Sequence, residues 1–354
     1  MEKFNVGILG ATGTVGCIFV ETLQKHPWFN IKCLAASSRS AGKSFYESLE
    51  CKNVENLNIS KEILNFQVFD VKKDAKKIVS EVDFVFCALD MTKEEIQNLE
   101  YLYAKLECPV ISNNSAHRFT PDVPMVIPEI NPEHLRIIKS QRERLKIKKG
   151  FIVTKPNCSL QCFVPPLHVL TEYGLDSIIV CTYQAISGAG KTFATMPEIH
   201  DNIIPHISGE ELKTEKEPLK IWGKLVQGEI ICAKLPKISS QCSRVPVSNG
   251  HMAAVHVKFK YKPDINDIIY KWKNFNYKKL PSSPEKMFNF HKEETRPQTK
   301  LDRDFANGMG ISIGRLKKDN VFDYKFVCIS HNTIRGAAGG SVLLAELLVS
   351  DGYI

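Results

Sequence analysis

The sequence predicts an α/β protein in which a doubly wound parallel sheet is followed by a second domain of mixed α and β elements. Over the first 155 residues, apolar β-branched runs alternate with helical patterns, as in a parallel sheet with crossover helices. A glycine-rich turn follows the first strand, and the pattern changes after residue 158. At 354 residues, the chain is long enough for two domains.

The first strand, residues 5–9, runs into a glycine-rich turn and then a helical pattern that ends near Gln24. Glycines let the backbone approach a pyrophosphate, and a helix N-terminus supplies N–H donors to it. The spacing GxxGxxG therefore predicts a dinucleotide site, with a tight turn that binds nothing as the alternative. The residues of this turn that we expect to contact the cofactor are Gly10, Thr12, Gly13, Thr14, Val15 and Gly16.

The second strand, residues 31–35, indicates which dinucleotide binds. An NAD site usually ends this strand with an acidic residue that binds the ribose hydroxyls. Here the strand is followed by hydroxyl groups and two cations, which suit a 2′-phosphate, so NADP is predicted. The residues concerned are Ser37, Ser38, Arg39, Ser40 and Lys43.

The remaining elements of the first domain follow in order after a polar surface excursion at residues 44–65. Strands are predicted at 66–69, 82–89, 109–111 and 151–154, and helices at 93–105 and 132–146. Arg118 follows the strand at 109–111, where ligands bind in such sheets, so it is either an anion ligand or a surface ion pair.

Cys158 lies between the strand at 151–154 and a helix that begins near Leu160, which Pro165 and Pro166 should kink or shorten. Backbone N–H groups at such a turn lower a thiol pKa and hold an oxyanion. The sequence therefore predicts a nucleophilic Cys158, against the plainer interpretation of a buried structural cysteine.

A strand at residues 177–184 leads into the octet 185–192, which departs from the phosphate-binding GxxxxGK[ST] loop only at Ala185. A nucleotide triphosphatase is therefore the rival hypothesis. A P-loop should open a sustained helix, however, and Pro197 follows five residues after Thr192. This proline argues against the rival.

Two further segments carry candidate polar groups. Residues 207–227 form a helical pattern that Pro218 should interrupt, with Glu217 and Lys220 on one face, where spacing alone favours a surface salt bridge. In the strand that begins at His251, alternation places His251 on the apolar face and His256 on the solvent face. His251 is thus either a satisfied core residue or a proton-transfer group.

A strand at residues 321–329, a small-residue turn at 332–341 and a helix at 342–349 complete the chain.

Composition limits the classes of function. A net charge of +8 without aromatic interleaving predicts no nucleic-acid partner. No signal peptide and no long apolar run is apparent, so no membrane span is expected. The cysteines contain no CxxC pair, so neither a disulfide framework nor a metal site is predicted, and a reducing, cytoplasmic location fits best.

Six segments together closely resemble the aspartate-β-semialdehyde dehydrogenase family, in its archaeal and fungal branch. They are residues 10–16, 37–42, 156–159, 184–190, 244–251 and 332–339. The resemblance implies a Rossmann-like NADP-binding domain at residues 1–157, completed by the C-terminal helix segment 336–354. It implies a mixed α/β catalytic and dimerisation domain at residues 158–335, resembling the catalytic domain of glyceraldehyde-3-phosphate dehydrogenase. It also implies a homodimer or homotetramer, and it argues further against the P-loop.

The resemblance also implies roles for individual residues. Cys158 is the nucleophile, His251 the acid–base group, and Gln184 orients the substrate. Arg244 binds the substrate carboxylate and Glu217 its ammonium group. The phosphate is held by Lys220, Arg118 and Asn157, and the cofactor is also contacted by Ser187, Gly188 and Asn332. Lys155 departs from the family pattern, which commonly has an uncharged residue there.

The implied reaction is NADPH-dependent reduction of L-4-aspartyl phosphate to L-aspartate 4-semialdehyde, with release of phosphate, through a cysteine thioester. It belongs to the biosynthesis of lysine, methionine and threonine. The alternative is an NADPH-dependent acyl-CoA reductase of the malonyl-CoA type on the same scaffold.

Overall fold

Two six-stranded sheets organise the chain, which the computed structural model describes at residues 2–49 and 58–354. The strands of the first sheet are β1 (Phe4–Leu9), β2 (Phe29–Ala36), β3 (Val68–Asp70), β4 (Phe84–Cys87), β5 (Val110–Ser112) and β6 (Ile152–Thr154). Their order is β3-β2-β1-β4-β5-β6, and all pairs are parallel. The predicted doubly wound sheet is thus confirmed, and the strand order reverses beside β1, where such sheets bind nucleotides.

Crossover helices separate these strands. They are α1 (Thr14–Leu23), α2 (Lys61–Leu64), α3 (Ala75–Glu81), α4 (Lys93–Lys105) and α5 (Ile138–Leu145), with a 3₁₀ helix at Pro132–Ile137. A capping box between Thr92 and Glu95 begins α4, where its helical pattern begins. Part of the predicted excursion at 44–65, namely residues 50–57, lies outside the described residues.

The C-terminal helix α10 (Ala338–Ser350) returns to the first sheet, where it packs on α1. Val342, Leu343 and Leu347 are buried in the same core as Phe19. The helix begins four residues before the predicted start at residue 342, because its first turn is made of small residues that pack closely rather than of an apolar stripe.

The second sheet is mixed. Its strands are β7 (Leu175–Gln184), β10 (Lys237–Arg244), β11 (His251–Phe259), β12 (Phe288–Phe290), β13 (Ile311–Lys318) and β14 (Tyr324–Ser330). They are ordered β10-β7-β11-β14-β13-β12, with β10/β7 and β12/β13 parallel and the other pairs antiparallel. A small hairpin pairs β8 (Lys224–Val226) with β9 (Glu229–Ile231).

The helices of this half are α6 (Leu160–His168), α7 (Glu210–Ile221), α8 (Ile265–Lys273) and α9 (Thr299–Asp302). Both prolines of α6 lie inside it, and it ends after nine residues. The expected interruption of α7 at Pro218 is wrong, since the helix continues to Ile221. Burial of Glu217, Pro218 and Ile221 against the domain offsets the missing ladder hydrogen bond.

Within the described ranges, no helix is both long and apolar enough to cross a membrane. No disulfide joins two cysteines of those ranges.

Candidate active site

Cys158 lies at the turn between β6 and α6, where the sequence predicts it, and it is half-buried. Ser159 is the N-cap residue of α6, and its backbone N–H donates to Oδ1 of Asn157 over 2.9 Å. The Asn157 side chain therefore stabilises the turn that presents the thiol.

The charges around the thiol act in opposite directions. Burial, assisted by the nearby Glu210 carboxylate, raises the pKa of Cys158 to about 11, against the cations of Lys155, Arg118 and Arg244, which lower it. We expected the helix N-terminus to lower this pKa. Desolvation of the charged form outweighs that effect here, so thiolate formation depends on the surrounding cations.

His251 begins β11 with its ring fully buried, as alternation predicts. The backbone N–H of Ala185 donates to its Nδ1 over 3.0 Å, so the neutral ring carries its proton on Nε2. That Nε2 is buried without a hydrogen-bond partner among the described residues. Burial and the charge of Arg244 lower the pKa of His251 to about 3. The ring is thus a neutral donor whose N–H remains available.

Arg244 is the last residue of β10, and Ala185 binds its side chain as well as that of His251. Its Nη1 donates to the carbonyl oxygen of Ala185 over 2.8 Å, so Ala185 holds both Arg244 and His251. A Cβ on Gly188 would lie 2.9 Å from His251 Nε2 and 3.0 Å from Arg244 Nη1. Only glycine leaves this space open, and the space lies directly against the two polar groups.

Gln184 ends β7, and its side chain reaches a carboxylate that sequence reasoning missed. Its Nε2 donates to Oε1 of Glu210 over 3.1 Å and to Thr182 Oγ1 over 3.2 Å. Glu210 is buried, and Lys213 lies 3.3 Å from its other oxygen. A spacing of seven residues puts Glu210 and Glu217 on one face of α7, a signal that could have identified it.

Glu217 contacts the turn that carries Cys158, and it is fully buried. Its Oε1 is 2.9 Å from Arg118 Nη1, and its Oε2 accepts the backbone N–H of Asn157 over 2.7 Å. Arg118 also donates to the carbonyl oxygen of Asn113, while its Nε is buried without a partner in the described part of the chain. Glu217 thus orients Arg118 and the turn, and both of its oxygens already have partners.

Lys220 does not face the thiol. Its Nζ donates to the carbonyl oxygens of Arg118, Thr120 and Val123 over 2.7, 2.8 and 2.8 Å. An ammonium has three N–H donors, so none remains for a phosphate, contrary to the expectation from resemblance. Lys220 instead holds the loop that carries Arg118. The Glu217–Lys220 surface salt bridge suggested by spacing does not form either, because both side chains are buried.

The turn between β1 and α1 is packed too closely for side chains at two of its glycines. Gly10 has φ +89°, and a Cβ there would lie 2.3 Å from the carbonyl oxygen of Ala88. A Cβ on Gly16 would lie 2.1 Å from the carbonyl oxygen of Gly10. Thr12, Gly13, Thr14 and Val15 lie between them, with Thr14 exposed at the start of α1. This geometry fits a dinucleotide pyrophosphate.

The segment after β2 carries the residues that we expect to bind the 2′-phosphate. Ser38, Arg39 and Lys43 are exposed, and Ser37 and Ser40 are half-buried. Arg39 and Lys43 make no ion pair with any described residue. A pair of exposed cations that form no ion pair suits a 2′-phosphate.

The loop after β7 lies between the residues around His251 and the glycine-rich turn after β1. Ser187 Oγ accepts a hydrogen bond from Asn332 Nδ2 over 2.9 Å, and Asn332 Oδ1 accepts the backbone N–H of Gly250 over 2.7 Å. A Cβ on Gly190 would lie 3.6 Å from Thr14 Oγ1 of the cofactor turn. The loop forms a 3₁₀ turn at Ile186–Ala189 and opens no sustained helix, which excludes the P-loop hypothesis.

Two family models match successive parts of the chain. Residues 5–138 match a family model described as "Semialdehyde dehydrogenase, NAD binding domain". Residues 165–335 match one described as "Semialdehyde dehydrogenase, dimerisation domain".

Whole-chain relatives include an aspartate-semialdehyde dehydrogenase of Archaeoglobus fulgidus, 41% identical over 99% of this chain and 100% of the relative. Another, from Cryptococcus neoformans, is 38% identical over 99% of this chain and 98% of the relative. A crystal structure of aspartate semialdehyde dehydrogenase with NADP from Candida albicans superposes with a TM-score of 0.89, at 35% identity and with complete coverage of both chains. On this identity over the full length, the chain belongs to the aspartate-semialdehyde dehydrogenase family.

Proposed function

We propose that the protein catalyses NADPH-dependent reduction of L-4-aspartyl phosphate to L-aspartate 4-semialdehyde, with release of phosphate. This is a step in the biosynthesis of lysine, methionine and threonine. The observation that carries the proposal is that Glu217 joins Arg118 to the backbone of Asn157, beside Cys158, while Arg244 is bound to Ala185 together with His251. These two buried arginines suit the two anionic ends of a phosphorylated amino acid.

Geometry supports one orientation of this substrate. Its carboxylate binds Arg244, and its phosphate binds the unpartnered Nε of Arg118, next to Asn157. The ammonium group lies on the same carbon as the carboxylate, so it belongs near Arg244. Glu210 is hydrogen-bonded to Gln184, the register partner of Arg244 in the β10/β7 pair, so it is the better partner for the ammonium group than Glu217.

The reaction forms a covalent intermediate on Cys158. The thiolate attacks the acyl phosphate, the carbon–oxygen bond to phosphate breaks, and a thioester remains. When bound, NADPH supplies the hydride that reduces this carbon. His251 holds its Nε2 proton toward the developing oxyanion, and Gln184 orients the acyl group. The thiolate then leaves, which releases the aldehyde.

The cofactor would lie along the segments already described. The residues between Gly10 and Gly16 would hold its pyrophosphate, and those between Ser37 and Lys43 would hold its 2′-phosphate. Ser187, Gly188 and Asn332 would hold the nicotinamide end, since the absence of a Cβ at Gly188 leaves space there.

Domain roles follow the two sheets. Residues 1–157 with the C-terminal segment 336–354 form the NADP-binding domain, since α10 shares its core. Residues 158–335 form the catalytic domain, which also carries the contacts of a homodimer or homotetramer. We place the enzyme in the cytoplasm, where its reduced thiols would persist.

A two-arm assay of the purified protein tests the proposal. One arm follows phosphate-dependent reduction of NADP with aspartate semialdehyde, and the other follows oxidation of NADPH with malonyl-CoA. We expect activity in the first arm alone, and loss of it in Cys158→Ala with NADPH binding retained. Activity in the malonyl-CoA arm alone, or substantial turnover by Cys158→Ala, would overturn the assignment.

A further inference from the structure

Glu100 is a buried carboxyl group to which the proposed reaction assigns no part. It lies on α4 among the residues that this helix buries, which include Leu99 and Tyr103, and it is fully buried itself. Its Oε2 has no hydrogen-bond partner in the described part of the chain, and His117 Nε2 lies 3.9 Å away. Burying a carboxyl group in this way is costly, and an apolar side chain of similar volume would cost less. The cost implies a role other than packing.

The other oxygen of Glu100 binds the end of β5. Its Oε1 accepts a hydrogen bond from the hydroxyl group of Ser112 over 2.5 Å. Ser112 is the last residue of β5, and its Oγ also accepts the backbone N–H of Asn114 over 3.1 Å, which shapes the turn that follows. The carbonyl oxygen of Ser112 accepts the backbone N–H of Lys155, three residues before Cys158, over 2.9 Å. Ser112 thus joins Glu100 both to the loop after β5 and to the segment that leads to the thiol.

A second residue of α4 binds the same loop further along. Gln97 Nε2 donates to the carbonyl oxygen of Ala116 over 2.8 Å, and the carbonyl oxygen of Gln97 lies 3.4 Å from His117 Nε2. Gln97 and Glu100 are three residues apart, so they occupy neighbouring positions on one side of the helix. Together they hold the beginning and the end of the segment 112–117.

Arg118 directly follows this segment and is oriented by it. Its Nη2 donates to the carbonyl oxygen of Asn113 over 3.1 Å, so the backbone next to Ser112 positions the guanidinium. On the opposite side, Glu217 pairs with Arg118 Nη1 over 2.9 Å, and Lys220 binds the Arg118 carbonyl oxygen over 2.7 Å. The arginine is therefore held between α4 and α7, and the loss of a contact to either helix should displace it.

We propose that Glu100 and Gln97 are positioning residues for phosphate binding, which act on Arg118 through residues 112–117. Glu100 holds Ser112, whose neighbour Asn113 orients the guanidinium, and Gln97 holds the loop just before Arg118. The inference deepens the proposed function and rests on it only in taking Arg118 as the phosphate ligand.

Binding of inorganic phosphate to the full-length protein, followed by ³¹P NMR, tests the proposal without turnover. Glu100→Leu removes the acceptor for Ser112, so the dissociation constant of phosphate should rise about three- to tenfold, as for a lost hydrogen bond. Glu100→Gln keeps a carbonyl oxygen at the same position and should stay within about twofold of the wild-type value. In assays of turnover, KM for phosphate should rise in Glu100→Leu while KM for NADP stays constant.

A double-mutant cycle shows whether Glu100 acts through Ser112. Ser112→Ala removes the other partner of the hydrogen bond and should also weaken phosphate binding. Combining it with Glu100→Leu should weaken binding no further than the stronger single change, because both remove the same contact. Additive effects of the two changes would overturn this route.

Tyr103→Phe is the matched control, because Tyr103 is also buried on α4 but its hydroxyl group donates to the carbonyl oxygen of Val71 over 3.0 Å, outside the segment 112–117. It should lower the melting temperature while phosphate binding stays at the wild-type value. A folded Glu100→Leu with wild-type phosphate binding would overturn the proposal, as would an equal loss of binding in Tyr103→Phe.

Gln97→Leu covers the case in which Glu100→Leu does not fold. Gln97 is only half-buried, and the change removes its contact with Ala116, so the dissociation constant of phosphate should rise by about threefold. Unchanged binding in Gln97→Leu would reject the role of α4. A wild-type protein that binds phosphate but shows no phosphate-dependent turnover would instead overturn the proposed function, and these binding ratios would still decide the inference.

Discussion

Ala185 donates its backbone N–H to Nδ1 of His251 over 3.0 Å, and its carbonyl oxygen accepts a hydrogen bond from Arg244. One peptide segment thereby determines the tautomer of the histidine and the position of the arginine. Because Nδ1 faces a donor, the neutral ring carries its N–H at Nε2, which has no partner among the described residues. We therefore expect the ring to act first as a hydrogen-bond donor to an oxyanion.

This relationship predicts different outcomes for two substitutions of His251. His251→Ala removes the donor and should lower kcat by about 10²–10³-fold, as for other oxyanion donors. His251→Gln places an amide N–H near the same point, so it should retain at least tenfold more activity than His251→Ala. Since the pKa of His251 is about 3, no acidic limb near pH 6.5 should belong to it. A limb that disappears in His251→Gln would contradict this assignment.

Glu210→Gln and Glu217→Gln should separate recognition of the ammonium group from binding of the phosphate. Glu210→Gln should reduce the preference in kcat/KM for aspartate semialdehyde over succinate semialdehyde, which lacks the amine, by roughly ten- to a hundredfold, as expected for a lost charged hydrogen bond. Glu217→Gln releases Arg118 and the Asn157 turn, so it should raise KM for phosphate and slow both aldehydes alike. Loss of the preference in Glu217→Gln alone would return the ammonium site to Glu217.

Arg39 should decide between the two nicotinamide cofactors. Arg39→Ala removes an exposed guanidinium at the end of β2, so KM for NADPH should rise roughly ten- to a hundredfold while KM for NADH stays nearly constant. Lys25→Ala, at an exposed cation beyond α1, is the control and should change neither value. Equal effects of Arg39→Ala on the two cofactors would exclude a 2′-phosphate contact.

Glu100 should make stability depend on pH. Burial raises the pKa of Glu100 to about 7, although hydrogen bonds from Ser112 and Cys87 oppose the shift. The folded state therefore keeps a proton that the unfolded state loses near pH 4.5. The contribution of Glu100 to the free energy of unfolding is fully present below pH 4.5 and is lost as pH rises through 7. In Glu100→Gln this loss is absent.

Urea unfolding of both proteins from pH 4.5 to 8 measures the effect. The difference in unfolding free energy between Glu100→Gln and wild type should grow in favour of the variant by about 3 kcal/mol over that range. A difference that stays constant with pH would show that the carboxyl group is ionised throughout.

Local patterns in the sequence were sufficient for the first sheet and for the placement of Cys158 and His251. Continuous apolar runs indicate strands buried on both faces, and the glycine spacing indicates the cofactor turn. Alternation along β11 places His251 inward, as the structure confirms. Strands β10 and β13 were not predicted, because polar and charged residues occupy much of both, as in the run KISSQCSR of β10.

By itself, the sequence determined the elements that have a regular apolar pattern and the face that each of them buries, because the periodicity of apolar residues reports burial directly. Only the tertiary structure decided which buried polar groups face one another. Glu217 pairs with Arg118 across 99 residues, Lys220 turns to three carbonyls about 100 residues away, and Lys155 reaches the start of α10. Spacing within a helix cannot predict these partners, because hydrogen bonds between distant segments form only when packing brings those segments together.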